Sequence, residues 1–147
     1  MGKADLSILQ QSRRVFADTA FFFELLDPGA PHHTRAREIA AALESHAPEV
    51  TTSWEIVVEC ATLLRYRLHD QAAKIFLAEI VPELTLLYPD DEERLLAMAE
   101  FLKRGKERRL SLCDALSYVL ITRRLGRKAP CLSFDDDFSA LGLLVIR

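Results

Sequence analysis

The sequence predicts an α/β fold in which a central, mainly parallel sheet carries helices on both faces. Short apolar segments alternate along the chain with longer segments of helical spacing, which is the pattern of strands joined by helices. Gly and Pro stand at the ends of several segments, where they stop helices. The 147 residues are 50% hydrophobic and 28% charged, a balance that suits one folded domain with its own core.

The elements of the first half follow from local signals. Residues 1–13 are polar and weakly patterned and are predicted to be a short N-terminal extension, whereas residues 14–147 form a single domain. An apolar strand at 14–17 passes into a helix at 19–26, which the turn signal Asp-Pro-Gly ends. Apolar spacing and a short extended segment then predict the next elements: a helix at 32–46, a strand at 49–51, and helices at 53–68 and 70–80.

The second half is divided in the same way. Pro82 breaks the preceding helix, Asp90 caps a long amphipathic one that Gly105 ends, and Ser111 opens another that stops at Gly126. These signals predict the following elements: strands at 83–88, 129–134 and 143–146, and helices at 90–104, 111–124 and 136–141. The resulting order of strands and helices predicts a parallel sheet, whose ligands bind at the carboxyl ends of the strands.

Composition excludes several classes of protein. No apolar run approaches the ~18 to 20 residues that cross a bilayer, and the start of the chain lacks a signal-peptide core. The three cysteines form no Cys-x-x-Cys, so we expect reduced thiols in the cytoplasm. A formal net charge of −3 argues against a protein coated in nucleic acid, although basic residues gather between 103 and 128. That basic stretch has two interpretations, a solvated surface or a local phosphate contact.

Three aspartates from separate segments lie where predicted strands end or predicted helices begin. Asp18 follows the first strand, Asp114 is the third residue after Ser111, and Asp135 follows the apolar end of a late strand. Each has an ordinary structural explanation, as an N-cap, a capping box and a turn residue respectively. The sheet topology nevertheless sends all three to one edge, and this shared placement is the informative observation.

A fourth acid lies one helical turn inside the helix at 53–68. Thr52 and Glu55 have the spacing of a capping box, which explains Glu55 without a functional role. Glu59 has no such explanation, because apolar residues surround it on the helix and a carboxylate there is rarely buried unpaired. We therefore interpret Glu59 as the fourth member of the cluster, with Glu55 as the alternative.

Four neighbouring carboxylates would repel one another unless a cation holds them ionised. Mg²⁺ prefers oxygen ligands and keeps several waters, whereas zinc prefers His and Cys, which are absent from this set. Such a metal site is suited to phosphate ester chemistry. The chain has no phosphate-binding loop of the Gly-x-x-x-x-Gly-Lys type, so phosphodiester hydrolysis is a better prediction than nucleoside triphosphate hydrolysis.

Four stretches in order resemble the PIN domain, most closely the VapC-type ribonuclease toxins. They read VFADTAFFFELL, TTSWEIVVECATLLRYR, LSLCDALSYVL and LSFDDDF. The resemblance runs from about residue 15 to the end of the chain. It implies a three-layer α/β/α sandwich with a central parallel sheet, and an RNA-cleaving site that uses Mg²⁺ or Mn²⁺.

The resemblance also implies residue roles and partners. Asp18, Glu59, Asp114 and Asp135 correspond to the family's catalytic and metal-binding acids, with Thr19 and Asp137 as accessory residues. Asp136 is expected to face solvent. Proteins of this kind cleave RNA, pair with a small antitoxin and form homodimers, so these three partners are the expected ones.

Two rival functions remain at this point. The Asp-x-Asp of FDDDF also occurs in haloacid-dehalogenase-like phosphatases, but they carry it after their first strand and here it follows a late one. A second rival is a non-catalytic binding or scaffold module of the same fold. The presence of all four acids argues against that module.

Overall fold

Five strands form one parallel sheet in the computed structural model, which describes residues 6–104 and 110–147. Their spatial order is β3-β2-β1-β4-β5, and every neighbouring pair runs parallel. The strands are β1 (Arg14–Ala17), β2 (Glu49–Ser53), β3 (Thr85–Leu87), β4 (Cys131–Leu132) and β5 (Val145–Ile146). The predicted α/β fold with a parallel central sheet is confirmed.

Eight α-helices accompany the strands within the described residues. They are α1 (Ile8–Gln11), α2 (Thr19–Leu26), α3 (His33–His46), α4 (Trp54–Leu63), α5 (Asp70–Ile75), α6 (Asp91–Arg104), α7 (Leu112–Leu120) and α8 (Asp136–Ala140). A short 3-10 turn, Val81–Glu83, precedes β3. The α1 helix falls inside the predicted N-terminal extension, yet it contacts α3 and its Leu9 is fully buried in the core.

Three predicted helices end differently from expectation. The α4, α5 and α7 helices pass directly into π-helical segments, Leu64–Leu68, Phe76–Ile80 and Ile121–Leu125. The wider hydrogen bond is visible where the His69 N–H donates to the Leu64 carbonyl oxygen at 3.0 Å. Apolar spacing predicted only continuous helices here, because it does not distinguish an α-helical turn from a slightly wider last turn.

The connections place the helices in two layers. The chain moves from β1 through β2 to β3 in one direction across the sheet, then returns past β1 to β4 and β5 in the other. Right-handed crossovers therefore put α2 to α5 on one face and α6 to α8 on the opposite face. Packing of α2 against α3 and α4, and of α6 against α7, agrees with this division.

The core lies between the sheet and both helical layers. Its largest fully buried side chains include Phe16 of β1, Phe22 of α2 and Phe76, and the rings of Phe22 and Phe76 are 5.2 Å apart. Cys60 and Cys131 are buried free thiols, as expected for reduced cysteines, and Cys113 is partly buried. No helix in residues 6–104 or 110–147 combines the length and apolar character needed to cross a bilayer.

A few sequence predictions fall outside the described residues. They concern residues 1–5 of the predicted extension, the helix-ending Gly105, and the basic side chains Lys106, Arg108 and Arg109.

Candidate active site

The reversal of strand order creates a crevice at the carboxyl ends of β1 and β4. Connections leave these two neighbouring strands toward opposite faces, which is the position where open α/β sheets bind ligands. The Asp18 N–H donates to the Leu132 carbonyl oxygen at 3.1 Å, so the two strand ends are held together. The Thr52 hydroxyl of β2 donates to the Ala17 carbonyl oxygen at 2.8 Å and fixes the residue before Asp18.

Asp18 caps α2 and is nearly fully buried, with 4% of its surface exposed. One carboxylate oxygen accepts a hydrogen bond from the Thr19 N–H at 2.7 Å. The other accepts from the Ser133 hydroxyl, also at 2.7 Å. The predicted N-cap role is therefore real, but it occupies only one of the two oxygens.

Ser133 links two of the acids. Its hydroxyl donates to Asp18 and accepts a hydrogen bond from the Asp135 N–H at 3.1 Å, while the side chain is fully buried. The sequence analysis did not identify this residue. Its position directly after the buried strand β4, two residues before Asp135, was the available signal.

We expect Ser133→Ala to lower the free energy of unfolding by about 1–3 kcal/mol, because one Asp18 oxygen and the Asp135 N–H both lose a buried partner. Urea unfolding at pH 8 measures this change. The control is Ser139→Ala, an exposed serine of α8, which should change the stability by less than about 0.5 kcal/mol. Equal stability of the two variants would mean that the hydroxyl does not support the acids.

Asp114 occupies the first turn of α7 and completes a capping box. It accepts from the Ser111 N–H at 3.1 Å, and its own N–H donates to the Ser111 hydroxyl at 3.0 Å. This structural role was foreseen. It leaves the second carboxylate oxygen of Asp114 available to the cleft.

Glu59 and Glu55 lie on α4 but face different surroundings. Glu59 lines the same cleft as Asp18 and Asp114, whereas Glu55 lines a neighbouring apolar groove and not that cleft. The predicted capping box of Thr52 and Glu55 is wrong. Ser53 is the N-cap, its hydroxyl accepting from the Ile56 N–H at 3.1 Å, and one Glu55 oxygen is buried with no hydrogen-bond partner among the described residues.

The DDD sequence divides into three different positions. Asp135 caps α8, accepting from the Asp137 N–H at 2.9 Å, and lines the cleft. Asp136 is exposed, as expected, and pairs with Arg147. Asp137 lies on the first turn of α8 and is not among the described residues that line the cleft.

One cleft of about 560 Å³ brings the four predicted acids together, from segments far apart in the chain. Burial raises the pKa of Asp18 from 3.8 to about 7, and the charges of Asp114 and Asp135 add to the rise. Burial likewise raises the pKa of Asp114 to about 6, with Asp135 and Glu59 adding. Hydrogen bonds from Ser133 and Ser111 oppose these shifts without cancelling them.

The donors in this cleft suit a hard divalent cation. They are carboxylate oxygens together with the Thr19 hydroxyl, which is buried and has no hydrogen-bond partner in the described part of the chain. Within residues 6–104 and 110–147, no three acidic, His or Cys side chains form a compact ligand cage. A hydrated ion held directly by only one or two carboxylates agrees with this open arrangement.

A cysteine stands closer to the acids than the sequence indicated. Cys113 precedes Asp114, and its thiol lies against Glu59. Burial raises the pKa of this thiol, and the Glu59 charge raises it further, so it stays protonated at neutral pH. Cys113 lines the neighbouring apolar groove and not the acidic cleft, whose donors are oxygen atoms.

The fold and the cleft define an α/β domain with a carboxylate cluster at the switch point of a parallel sheet. The chain belongs to the PIN domain family, whose sequence profile matches residues 15–143. This match confirms the family that the four sequence motifs predicted. No curated protein matches the chain in sequence.

Solved structures agree with this assignment. VapC20 of Mycobacterium tuberculosis, described as a sarcin-ricin loop cleaving toxin, is 29% identical, with a TM-score of 0.76 over 88% of this chain and 96% of that one. FitAcB from Neisseria gonorrhoeae is 17% identical, with a TM-score of 0.64 over 90% and 96% of the chains. VapBC2 from Rickettsia felis, bound to promoter DNA, is 9% identical, with a TM-score of 0.62 over 90% and 96%. The last two show likeness of fold alone.

Proposed function

We propose that this protein is a metal-dependent endoribonuclease that hydrolyses RNA phosphodiester bonds with Mg²⁺ or Mn²⁺. The observation that carries the proposal is the convergence of Asp18, Glu59, Asp114 and Asp135 in one cleft at the carboxyl edge of the sheet. Membership of the PIN domain family and the similarity to VapC20, a sarcin-ricin loop cleaving toxin, support the same chemistry.

The chain's own residues would act by holding charge in position. Asp18 and Asp114 each keep one oxygen committed to a structural hydrogen bond, so their orientations are set before substrate arrives. Ser133 orients the second Asp18 oxygen, and Thr19 offers an unused hydroxyl beside it. The carboxylates of the cluster would hold a divalent cation, which would lower the pKa of a bound water and offset negative charge on the phosphoryl oxygens. Asp137 is the proposed accessory residue because the family resemblance places an acid there, and its backbone N–H donates to Asp135.

The biological role that fits this enzyme is the toxin of a toxin–antitoxin pair, working in the cytoplasm as a homodimer. A groove of about 380 Å³ adjoins the acidic cleft, shares Glu59 with it, and is lined largely by apolar side chains of α6 and α7 such as Met98 and Leu116. Leu95 and Leu102 of α6 are 63% and 76% exposed, which is unusual for a surface without a partner. An antitoxin segment and a second copy of the chain are the proposed partners of this apolar surface.

The direct test is cleavage of RNA by the purified protein with and without metal. We expect products from a sarcin-ricin stem-loop or an unstructured RNA only when Mg²⁺ or Mn²⁺ is present, and none with a chelator. Gel analysis of end-labelled RNA measures this and locates the cut. Cleavage that persists in chelator would contradict the metal dependence. A protein that neither cleaves RNA nor binds metal would instead be the non-catalytic module of the same fold.

A further inference from the structure

Arg67 is the single positively charged side chain that lines the acidic cleft in the described part of the chain. The same cleft is bordered by five acids, including Glu24 of α2 as well as the four of the cluster. The positive charge of this guanidinium is opposite in sign to the other charged groups of the lining. The guanidinium is the group of this lining that can bind a negatively charged part of a ligand directly, beyond the place where a metal would bind.

The π-helical segment after α4 accounts for the position of Arg67. In a regular α-helix of 3.6 residues per turn, a residue eight positions after Glu59 is rotated from it by about a fifth of a turn. The segment Leu64–Leu68 is wound more widely, and this turns Arg67 back toward the line of Glu59 and Leu63. All three side chains consequently line one cleft.

Arg67 is also uncommitted. Within residues 6–104 and 110–147 its guanidinium makes no hydrogen bond or ion pair, and the residue is exposed. Arg65, two residues earlier on the same segment, is different. It pairs with Asp70 at 2.9 Å and lines a separate pocket beside Thr62 and Leu77. In this segment Arg65 is therefore held in an ion pair, whereas the guanidinium of Arg67 is available to bind a ligand.

We propose that Arg67 binds the phosphate next to the scissile phosphodiester in the RNA substrate, and this inference rests on the proposed nuclease function. RNA carries a phosphate at every nucleotide. One phosphate of a strand can therefore bind the metal at the carboxylate cluster while the neighbouring phosphate binds the guanidinium. The planar guanidinium matches the oxygens of a phosphate group with two parallel hydrogen bonds. A cationic protein segment would be attracted by the acids but repelled by Arg67, so RNA fits the whole cleft better.

The test is RNA binding as a function of salt, in an Asp114→Asn background that suppresses cleavage. Fluorescence anisotropy with a labelled single-stranded RNA and Mn²⁺ measures the Kd at several salt concentrations from about 50 to 200 mM. We expect Arg67→Ala to weaken binding roughly threefold to tenfold and to reduce the magnitude of the log–log salt slope by about 0.7, the contribution of one phosphate contact on a single strand. Arg67→Lys should retain the slope, and Arg65→Ala is the matched control that should behave as the parent.

An unchanged salt slope in Arg67→Ala overturns the inference. The inference is also overturned if Arg67→Ala leaves the salt slope for RNA unchanged but abolishes binding of a labelled polyglutamate peptide. The guanidinium would then bind an acidic protein partner instead of RNA. The proposed function fails separately. Suppose that the salt slope for RNA binding depends on Arg67 but the parent protein, with Asp114 intact, never cleaves RNA. That result contradicts catalysis and still supports the phosphate contact of Arg67.

Discussion

Asp114→Asn is expected to slow RNA cleavage by roughly 10²- to 10³-fold while leaving the fold intact, because a metal in the site would contribute several kcal/mol of charge stabilisation. The substitution removes a negative charge from the cleft at a group that Ser111 already holds in place. An asparagine carbonyl oxygen can accept the same hydrogen bond from the Ser111 N–H, so the capping box survives. Initial cleavage rates with Mn²⁺, compared at equal protein concentration, measure the loss.

Asp136→Asn is the matched control for this prediction. It removes the same charge from α8 close in sequence to Asp135, but the side chain is exposed and engaged only in a surface pair with Arg147. Such pairs contribute little to stability, so both activity and melting temperature should stay near the parent values. If Asp114→Asn cleaved RNA as fast as Asp136→Asn, with both proteins folded, the acidic cleft could not be the reaction centre.

The melting temperature of the metal-free protein is expected to fall by roughly 5 to 10 °C between pH 4 and pH 7. Asp18 and Asp114 have folded-state pKa values of about 7 and about 6, against 3.8 for the ordinary side chain. Between those values the folded state binds more protons than the unfolded state, so stability decreases as the pH rises. Each unit of pKa difference corresponds to about 1.4 kcal/mol, and two coupled groups contribute on the order of a few kcal/mol.

Other groups around the cleft do not reverse this sign. Burial raises the pKa values of the thiols of Cys60 and Cys113, which therefore stay protonated throughout this pH range. The charges of Asp135 and Glu59 raise the pKa of Asp114 further, in the same direction as burial. The decrease should thus be steepest at about pH 5, where both groups are protonated in the folded state and ionised in the unfolded state, and it should level off near neutral pH as Asp18 loses its proton.

Metal should restore the lost stability. At pH 7.5, Mn²⁺ or Mg²⁺ at a hundred times its Kd stabilises the folded state by about 2.7 kcal/mol through mass action. Differential scanning calorimetry in matched ionic strength separates this effect from general salt screening. Asp114→Asn should show a smaller decrease with pH and a smaller response to metal. A melting temperature that changes neither with pH nor with added metal would mean that the acids do not destabilise the fold by repelling one another.

The order of strands and helices could be predicted because apolar periodicity and turn residues act locally. The convergence of Asp18, Asp114 and Asp135 on one cleft could also be predicted, since parallel strands bring their carboxyl ends to one edge. Their assignment as catalytic acids remains a prediction. Glu59 was separated from Glu55 with a capping argument that the structure does not support, because Ser53 is the cap. Glu59 still lines the cleft, because one turn further along α4 brings its carboxylate beside Cys113 and Asp114 at the start of α7.

Side-chain partnerships were the part that sequence could not supply. Ser133 had the appearance of a strand-end residue, and its two hydrogen bonds depend on the distance between β1 and β4 and on one rotamer. The contact of Cys113 with Glu59 depends likewise on how α7 packs against α4. The position of Arg67 depends on a change of helical winding that apolar spacing does not reveal.

The bond between Ser133 and Asp18 joins residues 115 positions apart in the chain. During translation, Asp18 leaves the ribosome long before its hydroxyl partner has been made, and so the cluster cannot form on a partly synthesised chain. The complete carboxylate cluster therefore forms only in a late event, when β4 pairs with β1. Under the proposed function, a neutralising protein partner has the whole period of synthesis in which to be present before the first RNA is cut.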